Sequence, residues 1–279
     1  MRSIVKAVGA LGALVALIPQ NTAVAAEDPE AAAQQLAERY SPVVRMQQEA
    51  PRCDDGEQFR PTDVEAVLGN QQVALRGPWR PPDLVKTQPK GNDVGRGYPG
   101  HALDFPGDPL RPGCDYADWS KEINREHPAT VYAHVAADPK FPDKLSLEYW
   151  FFYIFNDYNN THEGDWESIR LVFDVPTPQQ ALTTDPEAVG YSQHGGAERA
   201  RWGDTKLELA DGTHPVVYPA AGSHANKFGQ RLYLGRGSEG LGCDDTTRPG
   251  TALRPIVRYV PMQQADYLKE YPWLAFEGR

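Results

Sequence analysis

The stretch that decides the fold is YWFFYIFNDYNNTHEGDWESIRLVFD, residues 149–174. An unbroken apolar run, residues 149–155, leads into a polar connection and then into a second run in which apolar and polar residues alternate. A continuous apolar run is typical of a strand buried on both faces, and alternation is typical of a half-buried strand. The stretch therefore predicts two neighbouring β-strands, the first of them a core strand without a ligand role.

Further short runs rich in valine, tyrosine, leucine and phenylalanine follow residue 129, with Gly, Pro, Asp and Asn between them. Examples are ATVYAHVAA, AVGYSQH, KLELADGTHPVVYPA, QRLYL and ALRPIVRYVP. Within the third of these, Asp211 and Gly212 form a strong hairpin signal. Short strands separated by turn signals predict a mainly β protein, an antiparallel β-sandwich with short N-terminal helices and long irregular loops.

The segment before residue 129 has a different composition, with helix signals and a stretch rich in proline and glycine. Asp28 and Pro29 predict the start of a helix that runs to about residue 40. Thr62 and Glu65 form a capping-box pattern ahead of a short apolar helix that Gly69 can end. Residues 76–112 are dense in proline and glycine, which predicts a long irregular loop.

These patterns give the expected domain organisation. We expect residues 27–128 to form a helical and loop-rich part, and residues 129–279 to form the β-sandwich core that carries the HEGDWE motif. Together, residues 27–279 are expected to form one structural domain.

The first 26 residues predict a secretory signal peptide. Arg2 and Lys6 precede an apolar stretch, residues 7–18, and small residues lead to a cleavage site after Ala25 or Ala26. That arrangement is typical of a signal peptide, and the apolar stretch falls short of the roughly 20 residues that span a membrane. We expect a secreted, extracellular protein, or a surface-attached one if the native chain continues past YPWLAFEGR into an anchor.

Charge narrows the range of partners. The chain has 279 residues, 40% apolar and 24% charged, and a formal net charge of −10. An acidic chain is a poor partner for nucleic acid, because phosphate binding needs a basic surface. It suits a divalent cation, and peripheral contact with an anionic membrane would need such a cation or a local basic patch.

Three cysteines, Cys53, Cys114 and Cys243, allow one disulfide and one free thiol. Three pairings are open, and the sequence does not choose among them. Their spacing matches no structural zinc pattern.

The alternation after residue 164 places two acids on the apolar face. If residues 165–174 form a strand, Asp165 and Glu167 share that face with Ile169, Leu171 and Phe173. Two buried carboxylates need positive compensation, because burying like charges together costs several kcal/mol.

A divalent cation would supply that compensation. His162 lies three residues before Asp165 in the predicted loop, and Asp157 follows the first strand with matching parity. The predicted ligands are His162, Asp165, Glu167 and Asp157, for Ca²⁺ or Mg²⁺ first and Mn²⁺ or Zn²⁺ second. The alternative is a structural network in which the acids pair with Arg170 or Arg258.

The stretch also carries a family resemblance. Together with YSQHGG, HPVVYPAAGSHANKF, GEQFRPTDVEAVL and ATVYAHV, it resembles the vacuolar protein sorting-associated protein 62 family, from about residue 40 to the C-terminus. That family has no settled biochemical activity. The same pieces are more remotely similar to the necrosis- and ethylene-inducing peptide (NLP) family of secreted cytolysins, β-sandwich proteins whose H-x-x-D-W-E motif binds a divalent cation.

The remote resemblance implies the same site. His162, Asp165 and Glu167 fall on that family's ligands, and Asp157 matches its upstream aspartate across a loop of different length. Glu163 and Gly164 stand where that family has an arginine and a second histidine. This departure puts the cytolytic activity in doubt.

Other residues are candidates for ligand contacts around the cation. His194, His214 and His224 lie at predicted strand ends beside glycine, proline or serine, where they either support a ligand site or hold loop carbonyls. The aromatic candidates for stacking on a sugar or lying at a lipid surface are Tyr158, Trp166 and Trp202.

We therefore expect a secreted, cation-binding β-sandwich that recognises a surface ligand, either a glycolipid, a membrane or a polysaccharide. A metal-dependent hydrolase of esters or phosphoesters, with His194 or His224 as general base, is one alternative. An NLP-like cytolysin is another. We assign no catalytic residue and favour a protein that is not an enzyme.

Overall fold

A computed structural model describes residues 28–49, 53, 56–79, 82–138, 140–237 and 240–278. The predicted signal peptide lies outside the described residues. The helices of the described ranges are α1 (Pro29–Arg39), α2 (Gly91–Val94), α3 (Asp115–Glu126), α4 (Pro178–Ala181) and α5 (Gln264–Glu270), with 3₁₀ helices at Val64–Ala66 and Pro272–Ala275. The strands are β1 (Val43–Gln47), β2 (Ala74–Arg76), β3 (Leu84–Thr87), β4 (Ala102–Asp104), β5 (Thr130–Ala137), β6 (Leu145–Asn156), β7 (His162–Phe173), β8 (Ala188–Gln193), β9 (Gly196–Arg201), β10 (Leu209–Ala210), β11 (His214–Pro219), β12 (Asn226–Lys227), β13 (Leu232–Gly237), β14 (Gly240–Asp245), β15 (Pro249–Leu253) and β16 (Ile256–Val260).

Two large sheets share the main hydrophobic core. One has six strands in the order β16-β5-β6-β7-β8-β9, and the other has the order β10-β11-β1-β15 with β12 beside β11. Smaller sheets are formed by β3-β2-β4 and by β13-β14. The mainly β, sandwich-like architecture confirms the predicted fold class. The strands are not all antiparallel, however, because β1 runs parallel to β11 and β16 runs parallel to β5.

The pair β6-β7 forms the centre of the six-stranded sheet, as the sequence predicts. Phe151 lies opposite Glu167, and Tyr149 lies opposite Ile169. Ile169 and Leu171 are fully buried, whereas Trp166 on the other face is 38% exposed. Alternation along β7 therefore places the two acids on the inward face, near the N-terminal end of the strand.

The start of β7 differs from the prediction. The strand begins at His162 rather than at Asp165. Gly164 has φ of +70°, a left-handed conformation that favours glycine. Strict alternation would put His162 and Asp165 on opposite faces, yet the two side chains meet, so the alternation breaks around Gly164.

Two predictions for the N-terminal part are corrected by the structure. Asp63, not Thr62, caps the 3₁₀ helix Val64–Ala66, since its carboxylate accepts the Glu65 N–H at 3.0 Å. Residues 76–112 are not one irregular loop, because strands β3 and β4 and helix α2 lie within them. The predicted helix at residue 28 is confirmed, with Asp28 as its cap and Pro29 in its first turn.

The structure also selects among the cysteine pairings. Cys53 and Cys114 form a disulfide, and Cys243 is a free, exposed thiol. Asp211 and Gly212 turn the chain between β10 and β11, as predicted. Within the described ranges, no helix is long and apolar enough to cross a membrane.

The left-handed backbone at Gly164 makes a prediction for stability. Gly164→Ala should lower the free energy of unfolding by about 1–2 kcal/mol, because a Cβ is strained in that conformation even though its nearest contact, with Phe152, would be an ordinary 3.6 Å. Denaturant unfolding measures the change. Gly229→Ala is the control, since a Cβ there meets nothing within 4 Å. Equal stability of the two variants would contradict the strain.

Candidate ligand-binding cleft

A polar cleft of about 700 Å³ lies on the inward face of β7, near the N-terminal end of the strand. Three of the four predicted cation ligands line it, namely His162, Asp165 and Glu167. The predicted contact residues Tyr158, Trp166 and His194 also line it. The sequence motif therefore maps onto one concave surface.

Asp165 is held by histidines on two sides. Its Oδ2 lies 2.8 Å from Nδ1 of the buried His224 and accepts a hydrogen bond from the Asn156 amide at 3.2 Å. Its Oδ1 lies 3.5 Å from Nε2 of His162. Burial raises the pKa of Asp165, but the hydrogen bonds from His162 and His224 outweigh it and hold that pKa well below its usual range. Asp165 is therefore ionised.

His224 is the buried cation beneath the cleft. It is fully buried and stacks on the Tyr153 ring at 3.8 Å, while its Nε2 lies 3.7 Å from Oε1 of Glu57. Burial lowers its pKa, but the charges of Glu57 and Asp165 prevail and raise it from 6.5 to about 9. The ring is therefore an imidazolium at neutral pH.

Glu167 is the acid without a matched cation. Its Oε2 accepts the Ser192 hydroxyl, and its Oε1 accepts no hydrogen bond from a described residue. Burial raises the pKa of Glu167 to about 8, helped by the charge of Asp165. Neither arginine considered from the sequence contacts the two motif acids, because Arg170 pairs with Glu148 and Arg258 pairs with Asp63.

Asp244 is a third carboxylate of the cleft. Lys227 Nζ lies 2.8 Å away, the Ser223 hydroxyl donates to it at 2.8 Å, and His194 Nε2 lies at 3.1 Å. The hydrogen bond and charge of Lys227 offset its burial and lower the pKa of Asp244. Lys227 thus neutralises Asp244, and leaves Glu167 unmatched.

Three predicted residues lie elsewhere. Asp157 follows β6 and binds the Gly222 carbonyl through its backbone, but it does not line the cleft. His214 lies 2.7 Å from the Ser41 carbonyl in the other large sheet. Trp202 packs against Tyr40 at 5.6 Å, in contact with the main core.

Several groups that shape the cleft were not predicted from the sequence. They are Glu57, Asn156, Ser192, Lys227 and Asp244. Four of them lie in stretches quoted for the family resemblance, but those stretches do not show that the side chains reach the cleft. Asp244 lies outside them, in an acidic pair with Asp245 at the end of a glycine-rich run.

The donor chemistry suits a hard divalent cation, but a closed ligand shell is not formed. Among the described residues, no group of three or more His, Cys, Asp or Glu side chains is arranged to hold a metal ion. Carboxylate oxygens with one imidazole are typical donors for Mg²⁺ and Ca²⁺, and Mg²⁺ keeps several of its waters. The described residues of the cleft thus offer donors of a suitable kind but no closed coordination sphere.

Neither a protein-family model nor a curated protein sequence matches the chain. The resemblance to the vacuolar protein sorting-associated protein 62 family therefore has no support beyond the quoted motifs. Solved structures do match. They are NLP toxin-fold proteins.

Three of these structures show the extent of the likeness. A "toxin fold for microbial attack and plant defense" is 14% identical, covering 87% of this chain and 80% of that one, with a TM-score of 0.45. NLPPya in complex with glucosamine is 15% identical (86% and 79% covered, TM-score 0.40). Necrosis and Ethylene inducing Protein 2, from the causal agent of cocoa's Witches Broom disease, is 14% identical (87% and 83%, TM-score 0.41). At these values the likeness carries no functional inference.

The buried imidazolium makes stability depend on pH. The pKa of His224 is raised in the folded state, so its contribution is complete below pH 6.5 and is lost as the pH rises to about 9. The raised pKa of Glu167 acts in the same direction from about 4.5 to about 8. The free energy of unfolding should therefore fall between pH 6.5 and 9.

A variant isolates the part due to His224. His224→Gln should be about 3 kcal/mol less stable at pH 7, because it leaves Asp165 and Glu57 buried without their cation, and its stability should fall less steeply above pH 6.5. Denaturant unfolding at several pH values measures both effects, with His101→Gln as the control. An unchanged slope in His224→Gln would rule out an imidazolium at this position.

Proposed function

We propose that the protein, once exported, recognises a surface glycan in the polar cleft, with one divalent cation bound by His162, Asp165 and Glu167 after these side chains move closer together than they lie in the structure. The observation that carries this proposal is Glu167, an inward acid of the cleft without a cationic partner among the described residues. The buried cations His224 and Lys227 pair with other acids, His224 with Asp165 and Glu57, and Lys227 with Asp244. A divalent cation would supply the positive charge that lets Glu167 ionise.

The charge state of Glu167 supports a cation that binds reversibly. Without a cation, its raised pKa of about 8 keeps this carboxyl group largely protonated at neutral pH. With a cation, the ionised form would be favoured, because a metal ion lowers the pKa of its ligands. Binding should therefore release a proton and strengthen as the pH rises.

The ligand types favour Ca²⁺ or Mg²⁺. Oxygen donors dominate the cleft, and His162 is the one imidazole of the proposed ligand set. Asp157 is omitted from the proposed set because it does not line the cleft. Waters would complete the coordination sphere.

The remaining lining suits a sugar. Tyr158 and Trp166 offer ring faces, and Asn156, Asn160 and Gln193 offer amide groups to hydroxyls. The sugar hydroxyls could replace waters on the bound cation. The shared chemistry is that of a polyhydroxylated ligand, whether it comes from a polysaccharide or a glycolipid headgroup.

Cation binding is tested with Glu167→Gln, which mimics the protonated acid and so should preserve the fold. Wild type should carry about one equivalent of Ca²⁺, Mg²⁺ or Mn²⁺ by elemental mass spectrometry, and Ca²⁺ at ten times its Kd should stabilise it by about 1.4 kcal/mol. Glu167→Gln should lose both, and the control Glu187→Gln, an exposed acid paired with Lys144, should lose neither. If the wild-type protein carries no metal even when metal is supplied at millimolar concentration, the acids form a structural network only.

Glycan binding is tested by titration calorimetry with glucosamine oligomers and their N-acetylated forms. Both forms should bind through their hydroxyls, and EDTA should weaken both, because the proposed cation would contact those hydroxyls. His194→Ala should bind less tightly than His101→Ala, since only His194 lines the cleft. No difference between these variants would place the sugar elsewhere.

A further inference from the structure

A second, larger cavity of about 1040 Å³ lies on the other face of the six-stranded sheet. Its floor is formed by Tyr132, Trp150, Phe152 and Trp166, which are cross-strand neighbours on β5, β6 and β7. The two 3₁₀ helices and β4 supply walls. Small-molecule sites commonly have volumes of about 300–1,000 Å³, so the cavity is large enough for one.

Aromatic rings dominate this second cavity. Trp166 and Trp273 stack at 5.9 Å with their planes 19° apart, and Tyr132 meets Trp273 edge-on at 5.2 Å. Trp150 and Trp166 remain 39% and 38% exposed although a core lies beside them. Exposed indoles around a concave surface are typical of binding sites, and their electron-rich faces attract cations.

The charges of the cavity have one sign. Its lining includes the carboxylates of Glu148 and Glu163 but no lysine or arginine. Arg170 outside the lining pairs with Glu148, and the lining residue His162 faces Asp165. The cavity therefore disfavours an anion.

Glu163 is the carboxylate that remains without a cation. Its Oε1 accepts the Tyr116 hydroxyl at 2.5 Å, and its Oε2 accepts the Phe105 N–H at 3.1 Å. Within the described part of the chain it forms no ion pair.

We propose that this cavity binds an apolar organic cation, an alkylamine or quaternary ammonium compound, with Glu163 as its counter-ion and Trp166 and Trp273 as its ring walls. A neutral ligand of the same shape would meet the same rings but would leave Glu163 unpaired. The proposal does not require a cation in the polar cleft, although His162 and Trp166 border both cavities.

Three probes of similar size separate the possibilities: phenyltrimethylammonium, its uncharged isostere tert-butylbenzene, and benzenesulfonate. Tryptophan fluorescence and calorimetry should show that the cation binds at least about tenfold more tightly than the isostere, a difference of about 1.4 kcal/mol, and that the anion does not bind. Equal affinity for cation and isostere, or no binding of the cation at millimolar concentration, would overturn the proposal. This comparison uses the wild-type protein alone.

Variants then locate the bound probe. Glu163→Gln should weaken phenyltrimethylammonium about tenfold and leave tert-butylbenzene unchanged. Glu208→Gln is the matched control, because Glu208 also accepts a tyrosine hydroxyl, from Tyr218, but does not line the cavity. Loss of cation binding in Glu167→Gln instead of Glu163→Gln would place the probe in the polar cleft and contradict the assignment.

Discussion

The polar cleft depends on the buried contact between His224 and Asp165. It joins the start of β7 to the turn after β11, and through Glu57 it joins both to the N-terminal segment. The imidazolium lets Asp165 stay ionised beneath the surface, where an unpaired carboxylate would be costly. Because Asp165 is satisfied in this way, Glu167 is the acid whose proton adjusts to what enters the cleft.

Local patterns in the sequence predicted the part of this arrangement that depends on neighbours along the chain. Alternation along residues 165–173 placed Asp165 and Glu167 inward, because the period of a strand is fixed by its backbone. The same reasoning placed His162 in a loop. It could not detect that the strand begins at His162, or that the left-handed backbone at Gly164 breaks its alternation.

Partners from distant segments were beyond such patterns. The Glu57 carboxylate accepts the Gly222 N–H across 165 positions of the chain, and the sequence around each residue does not show that the two meet. The high proline and glycine content of residues 76–112 predicted a loop. The segment nevertheless contains the short strands β3 and β4, which both pair with β2. Asp63 replaces Thr62 as a cap because it also binds the Tyr132 hydroxyl at 2.7 Å.

Strand β1 has a further consequence for how the molecule is made. It lies between β11 and β15 inside the smaller of the two large sheets, and the carbonyl of Ser41 just before it contacts His214, 173 positions later. A ribosome must therefore synthesise the chain to about residue 253 before this strand can pair with both neighbours. Contacts so far apart slow folding, because loop-closure entropy is lost before they form. Until then, the apolar side chains of Val43, Val44 and Met46 are open to chaperones and to aggregation.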